Sequence, residues 1–304
     1  MERGAIDLTD VPGAFDLQST LESGQTYLWD RTDGRTYEQS DTYGGEAWYE
    51  TVVPPMDGLV DRPTVVRARQ VDSRLEWESN ADAVPILERF LGLEDDLDAI
   101  FDAAPDEPLI RQAFDRYRGL RIVRDPPVPC LISFICSAQM RVARIYGMQR
   151  ALKEQYGETI ELDSRQYHAF PTAETLADRT ETELRELKLG YRAPYVRQTA
   201  AMIADGTAHP KDVADRPYEA AREGLTQFVG VGQKVADCVL LFSLGFLQAV
   251  PLDTWMRTAI GEHYPECDRG SYEETSRAIR DRFGDDYAGY VQTYVFHHLR
   301  NGGE

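Results

Sequence analysis

Lysine is scarce in this chain: of 304 residues only positions 153, 188, 211 and 234 carry it, and arginine supplies the rest of the 33 basic residues. Positive charge as a whole is short, because 52 aspartates and glutamates leave a formal net charge of -19. That sign argues against a protein that holds nucleic acid through a general positive field. Two readings remain. One is an ordinary acidic protein; the other is a salt-adapted, halophilic one, whose Asp/Glu-rich, Lys-poor surface keeps it soluble. In the second case contact with DNA would depend on a local cluster and on backbone groups.

Cysteine is short too. Cys130, Cys136, Cys238 and Cys267 lie far apart, without the paired spacing of zinc or iron–sulfur sites, and are expected as free, mostly buried thiols. The five histidines make no metal pattern either. No apolar run approaches the roughly 20 residues that span a bilayer. The opening MERGAIDLTD has no apolar core of a secretory signal. The expectation is a soluble, cytoplasmic protein with no membrane partner.

What is present reads as an α+β chain: an N-terminal antiparallel sheet domain with flanking helices over 1–125, then a helical domain over 126–304. Tyr27-Leu28-Trp29 and Thr36-Tyr37 flank an Asp33-Gly34 turn and predict a hairpin. Val65 to Gln70 and Arg74 to Glu78 predict a second, across Asp72-Ser73. From Asn80, a candidate N-cap, the periodicity turns helical and stays so, with Val84, Leu87, Phe90 and Leu91 on one face. After a proline cluster, one long apolar helix is expected from Leu131 to about Gln155. Another starts at Thr180 with Glu183 completing a capping box. A further one starts near Pro194 and closes at Gly206.

The sharpest local signal is LTQFVGVGQKVA, from Leu225 to Ala236. One helix ends at a turn with two glycines and a second begins at once, with Leu225, Phe228 and Ala236 available to pack them together. Glycines there let the backbone approach a ligand closely, and the free N–H groups of the new helix attract an anion. A DNA phosphate suits such a site, although a purely structural αα-hairpin has the same outline. Lys234 falls two residues into the second helix, which should run to Leu244 with Gly245 as its stop. The positive helix end and apolar surroundings favour a nucleophilic amine there. The competing reading is a surface lysine paired with Asp237 at i+3. Cys238 lies one turn on, on the same stripe. Asp253, in PLDTWMR, precedes a helix: as a plain N-cap it would be ordinary, and at a cleft its carboxylate could stabilise an oxocarbenium-like sugar and assist proton transfer.

FVGVGQKVADC followed by AVPLDTWMR resembles the nucleophile hairpin and catalytic aspartate of 8-oxoguanine DNA glycosylases of the helix-hairpin-helix superfamily. SGQTYLW (23–29), LISFICSAQMRVARIYGM (131–148), YHAFPTAETLA (167–177), LKLGYRAPYV (187–196) and DYAGYVQTYVF (286–296) occur in the family's order, so the resemblance covers nearly the whole chain. It implies the same sheet-plus-helices fold and a bifunctional glycosylase/AP lyase acting on duplex DNA that contains oxidised guanine, with the damaged base flipped into a pocket. Lys234 would be the nucleophile and Asp253 its partner. Gly24 would sense the extra N7 proton through its carbonyl, Cys238 and Phe296 would sandwich the base, and Gln292 would read its pairing edge. Arg144, Tyr191 and Arg192 would fill the gap and read the orphaned cytosine. Backbone groups of Gly230, Gly232 and Val235 would hold a phosphate.

The resemblance calls for no metal or organic cofactor and for a monomer; the carbonyls of Thr226, Phe228 and Val231 are a candidate seat for a monovalent cation. Two positions depart from the family. Gln139-Met140-Arg141 replaces an asparagine cluster beside the orphaned base, and Trp255 stands where a histidine is usual. Two other functions compete. A monofunctional alkylpurine glycosylase would use water and need no lysine at the hairpin. A non-catalytic helix-hairpin-helix DNA-binding module would leave Lys234, Asp253 and the base-contacting set without a joint purpose.

Overall fold

Alternating burial builds the N-terminal sheet in the computed structural model, which describes residues 1–37, 47–138 and 140–302. The strands are β1 (Glu2–Asp7), β2 (Asp30–Arg31), β3 (Tyr49–Val53), β4 (Thr64–Val71) and β5 (Arg74–Ser79), with a short helix α1 (Leu17–Glu22) after β1. Their order is β1-β5-β4-β3-β2, every neighbour antiparallel. The expected hairpin across Asp72-Ser73 forms, with Val71 opposite Arg74. Val66 and Ala68 of β4 and Leu75 and Trp77 of β5 turn inward, while Arg67 faces Glu78 and Arg69 faces Glu76. Opposite charges across strands add modestly to the ladder.

The other predicted hairpin is different. The Asp33-Gly34 turn exists, closed by the Gly34 N–H on the Arg31 carbonyl at 2.9 Å. The strand leading into it, β2, pairs with β3 and not with Thr36-Tyr37. Tyr37 sits at φ +64 and donates its hydroxyl to the Thr26 carbonyl at 2.6 Å, so it anchors a loop where a strand was expected. Asn80 is not a helix cap: its Oδ1 accepts the Val65 N–H at 2.8 Å and extends the end of β4.

Helices α2 (Val84–Phe90), α3 (Leu97–Ala103) and α4 (Pro108–Arg116) follow, then α5 (Pro127–Ser137) and α6 (Val142–Tyr156). The single helix expected over Leu131–Gln155 is therefore two. Its interruption has a local cause: the Ser137 hydroxyl donates to the Phe134 carbonyl at 2.7 Å, and Ala138 turns extended. Such back-bonding competes with continuation of the helix. The stretch after Asn80 is not wholly helical, because β6 (Thr159–Leu162) and β7 (Arg165–His168) form a small hairpin. Beyond it lie α7 (Ala173–Ala177), α8 (Glu181–Glu186), α9 (Ala193–Ala204), α10 (Tyr218–Leu225), α11 (Gln233–Phe242), α12 (Thr254–His263), α13 (Tyr272–Arg282) and α14 (Ala288–Arg300). The capping box at Thr180 and the proline in the first turn of α9 are both as predicted.

The last helix, α14, folds back against α4, and one connected apolar core runs from Leu8 to Val295. All four cysteines are free and buried. Among the described residues no helix is long and apolar enough to cross a membrane.

Candidate active site

The hairpin of α10 and α11 is packed by Leu225, Phe228 and Ala236, all buried, as their spacing predicts. Gly230 adopts φ +84, and a Cβ there would meet the Tyr195 ring at 2.8 Å, so the turn requires glycine twice over. Gly232 caps α11 in extended conformation, and no side chain caps the helix. The first-turn N–H groups, Val235 among them, are thereby left for an anion. The Phe228 carbonyl accepts the Val231 N–H at 3.1 Å and closes the turn. Among the described residues no group of three or more His, Cys, Asp or Glu could hold a metal.

Lys234 is half-buried in the first turn of α11. Its Nζ donates to the Ser137 Oγ at 3.0 Å and lies 5.3 Å from the Phe134 ring centroid. The break after α5 thus delivers Ser137 to the amine. The alternative pairing with Asp237 does not occur: that carboxylate is fully buried and takes hydroxyls from Tyr218 and Tyr272.

A cavity of about 500 Å³ opens beside Lys234. Its wall brings together Gly24, Cys238, Asp253, Gln292 and Phe296 with Lys234, from segments more than 250 residues apart in sequence numbering at the extremes. Each has a local reason to be there. Gly24 follows α1 at φ +94, a conformation open to glycine. Asp253 caps α12, its Oδ1 accepting the Met256 N–H at 2.7 Å, so the cap and the cavity placement coincide as expected. Burial pushes the Cys238 thiol up to about 12, against the pull of Lys234, so it presents a neutral face. Gln292 and Phe296 project from α14 one turn apart. Gln292 is buried, and its Oε1 has no partner among the described residues. A buried amide oxygen left unpaired in a cavity wall is suited to a ligand's donor.

The site reverses the charge of the chain. Its described lining holds three cations, Arg141, Lys234 and Arg300, against one carboxylate, Asp253. It is a local positive cluster in a chain whose net charge is -19.

The outer contacts are less gathered. Arg144 is exposed, as is Tyr191 at 53%. Arg192 is buried, with its guanidinium 4.2 Å over the Tyr191 ring and one Nη on the Ala138 carbonyl. Gln139 lies outside the described residues. Trp255 is exposed at the cavity mouth, edge-on to Phe296 with centroids 4.9 Å apart.

Sequence reasoning missed Ser137, which holds the amine from 97 residues away along the chain, and Phe134 beside it. It also missed Arg300, whose Nη1 lies 3.3 Å from where a Cβ on Gly24 would stand. Arg300 continues the Gln292–Phe296 stripe by one more turn, and that spacing was the available signal.

Residues 132–284 match the HhH-GPD superfamily of base excision DNA repair proteins. The chain belongs to that superfamily. Residues 8–131 match the N-terminal domain of 8-oxoguanine DNA glycosylase. A probable N-glycosylase/DNA lyase of Methanothermobacter thermautotrophicus is 28% identical, over 96% of this chain and 95% of its own length. The N-glycosylase/DNA lyase of Saccharomyces cerevisiae is 33% identical, over 78% of this chain and 65% of the yeast protein. Among solved structures, the Clostridium acetobutylicum 8-oxoguanine glycosylase/lyase in complex with double-stranded DNA bearing cytosine opposite 8-oxoguanine superposes with a TM-score of 0.81 at 25% identity, covering 97% of this chain and 99% of that one. The helix-hairpin-helix and sheet architecture of the superfamily member is thus common to relatives that handle DNA bases.

Proposed function

We propose that this chain is a bifunctional 8-oxoguanine DNA glycosylase and AP lyase that acts on duplex DNA, with Lys234 as nucleophile and Asp253 as its partner. The observation that carries the reading is a lysine amine held at a helix start, lining one cavity with a glutamine whose amide oxygen has no partner among the described residues. A flipped 8-oxoguanine fits between Cys238 and Phe296, with the Gly24 carbonyl accepting its N7–H and Gln292 on its pairing edge. The Lys234 nitrogen pair forms the bond to C1′ as the glycosidic bond breaks and its electrons leave with the base, which takes up a proton. Asp253 stabilises positive charge on the sugar in that step. Loss of the amine proton and opening of the ring give a Schiff base. Removal of a C2′ proton then expels the 3′ phosphate and nicks the strand.

Backbone groups at Gly230, Gly232 and Val235 hold a phosphate, and Arg144, Tyr191 and Arg192 attend the unpaired cytosine, with Gln139 beside them. The same reading takes the enzyme as a monomer that works in the cytoplasm. The acidic, lysine-poor composition supports salt adaptation.

One assay tests the proposal. Borohydride should crosslink the wild type to an 8-oxoguanine duplex, and Lys234→Gln should lose both crosslink and nicking while still binding. Crosslinking by the wild type should persist in molar KCl, where counterion release strips ordinary DNA binders. An undiminished crosslink in Lys234→Gln would overturn the assignment, and loss of trapping in KCl would remove the salt adaptation alone.

A further inference from the structure

Asp237 is a buried carboxylate that the chemistry above does not use. It lies on α11 one turn beyond Lys234, with no exposed surface. Its Oδ1 accepts the Tyr218 hydroxyl at 2.8 Å and its Oδ2 accepts the Tyr272 hydroxyl at 2.7 Å. Arg222, also buried, stands 3.7 Å from Oδ2 and donates to the Tyr218 oxygen at 3.3 Å. A charge so enclosed persists only with a full set of partners.

The two tyrosines differ in what they reach next. The Tyr218 oxygen takes a donor from Arg222, on its own helix. The Tyr272 oxygen accepts the Leu252 N–H at 3.1 Å, and Leu252 directly precedes Asp253. A continuous route therefore runs from the α11 backbone at Asp237, through the Tyr272 hydroxyl, to the main chain carrying Asp253. Lys234 is fixed to the same first turns of α11. Among the described residues the Asp253 side chain makes no hydrogen bond to α11; its cap bond goes forward to Met256 in α12.

We infer that Asp237 and Tyr272 are positioning residues that set the placement of Asp253 relative to Lys234, by tying the Leu252 N–H to the nucleophile's helix. The inference rests on the assignment of Lys234 and Asp253 made above. It has a physical basis in the steep dependence of rate on geometry: a displacement of about 1 Å at a reacting pair costs on the order of 100-fold. A hydroxyl that both donates to a fixed carboxylate and accepts a main-chain N–H permits little displacement, because each bond constrains the other.

The two hydroxyls on one carboxylate provide the test. Tyr272→Phe and Tyr218→Phe each remove one donor to Asp237, and both should lower the melting temperature to a similar extent. Only Tyr272→Phe frees Leu252. It should reduce the single-turnover excision rate on the order of 10- to 100-fold, with DNA affinity unchanged, whereas Tyr218→Phe should keep the wild-type rate at temperatures where both are folded. Equal rates in the two variants, or an undiminished rate in Tyr272→Phe, would overturn the inference.

A second measurement needs no variant. In the wild-type protein the Leu252 amide should exchange with solvent slowly for a residue in a loop, and fast exchange there removes the tie on which the inference stands. Wild-type protein that borohydride fails to trap is a separate result: it removes the Lys234 assignment, and the positioning role with it.

Discussion

Arg121 and Gln292 are both buried polar side chains, and the fold treats them in opposite ways. Arg121 has no exposed surface and donates five hydrogen bonds, to the carbonyls of Pro12, Ala14, Gly92 and Asp95. It ties the segment before α1 to the turn after α2, and every donor direction ends on the protein's own backbone. Gln292 stands in the cavity wall, with Oε1 unmatched among the described residues. Burial without a partner is costly, so the first arrangement is explained by the fold alone and the second is explained by something that enters.

That contrast predicts opposite consequences for the two side chains. Arg121→Met should cost about 3–5 kcal/mol in urea unfolding, because four carbonyls lose their donors together. Gln292→Ala should change stability by less than ~1 kcal/mol and yet slow excision of 8-oxoguanine by roughly tenfold or more, the value of a lost hydrogen bond to the base. A Gln292 variant that unfolds as readily as the Arg121 variant would erase the distinction between the two regions.

Asp125 sharpens the comparison from the other side. It is buried, its Oδ1 has no partner among the described residues, and it does not line the large cavity. Burial pushes its carboxyl up to about 7, with the Thr26 hydroxyl opposing, so the group resolves its isolation by keeping a proton. The unfolded chain releases that proton near the ordinary value of 3.8. A raised carboxyl stabilises the fold most below that value, and the contribution is lost as pH rises towards 7. Wild-type stability should therefore fall between pH 4 and pH 7, by up to a few kcal/mol at about 1.4 kcal/mol per unit. Asp125→Asn should remove its share of that slope and leave the smaller share from Asp237, whose carboxyl burial raises to about 6. Denaturant titrations of both proteins across this range give the answer, and parallel curves would show that Asp125 is ionised throughout.

These particulars also show where sequence is informative. The hairpin across Asp72-Ser73, the capping box at Thr180 and the turn before Lys234 depend on neighbours in sequence, and each was legible. Lys234, Asp253, Cys238, Gln292 and Phe296 were legible as a set only through a resemblance covering the whole chain; locally Lys234 read equally as a nucleophile or a surface lysine, Asp253 as a cap with or without a role at a cleft, and Gln292 and Phe296 as a packing face. Ser137 and Phe134 were not, because the apolar periodicity of α5 runs on into α6 and hides the break that aims a hydroxyl at the amine. The return strand for β2 was misread for a similar reason: an Asp-Gly turn specifies a reversal, and the pairing was then decided by β3, which begins only at Tyr49.

Arg192 falls between the two extremes, and so predicts the smallest effect. Like Arg121 it is buried, but it has one carbonyl partner, that of Ala138, and its Nε has none among the described residues. Its guanidinium rests on Tyr191, a ring that is itself 53% exposed. Its unpaired Nε is a donor left over for a ligand, and truncation to alanine removes one carbonyl bond, which should lower stability by about 0.5–1.5 kcal/mol. The expected ligand is the base left unpaired by flipping. Cytosine offers two acceptors, O2 and N3, which match the fork of an arginine, whereas adenine presents an amino donor on its pairing edge. An arginine facing adenine leaves buried groups unpaired at about 1–3 kcal/mol each, enough for roughly tenfold discrimination. Single-turnover excision should accordingly be faster opposite cytosine than opposite adenine in the wild type, and Arg192→Ala should narrow that ratio with little change in melting temperature. Equal rates opposite all four bases in the wild type would leave Arg192 as a strut for Ala138, closer in kind to Arg121 than to Gln292.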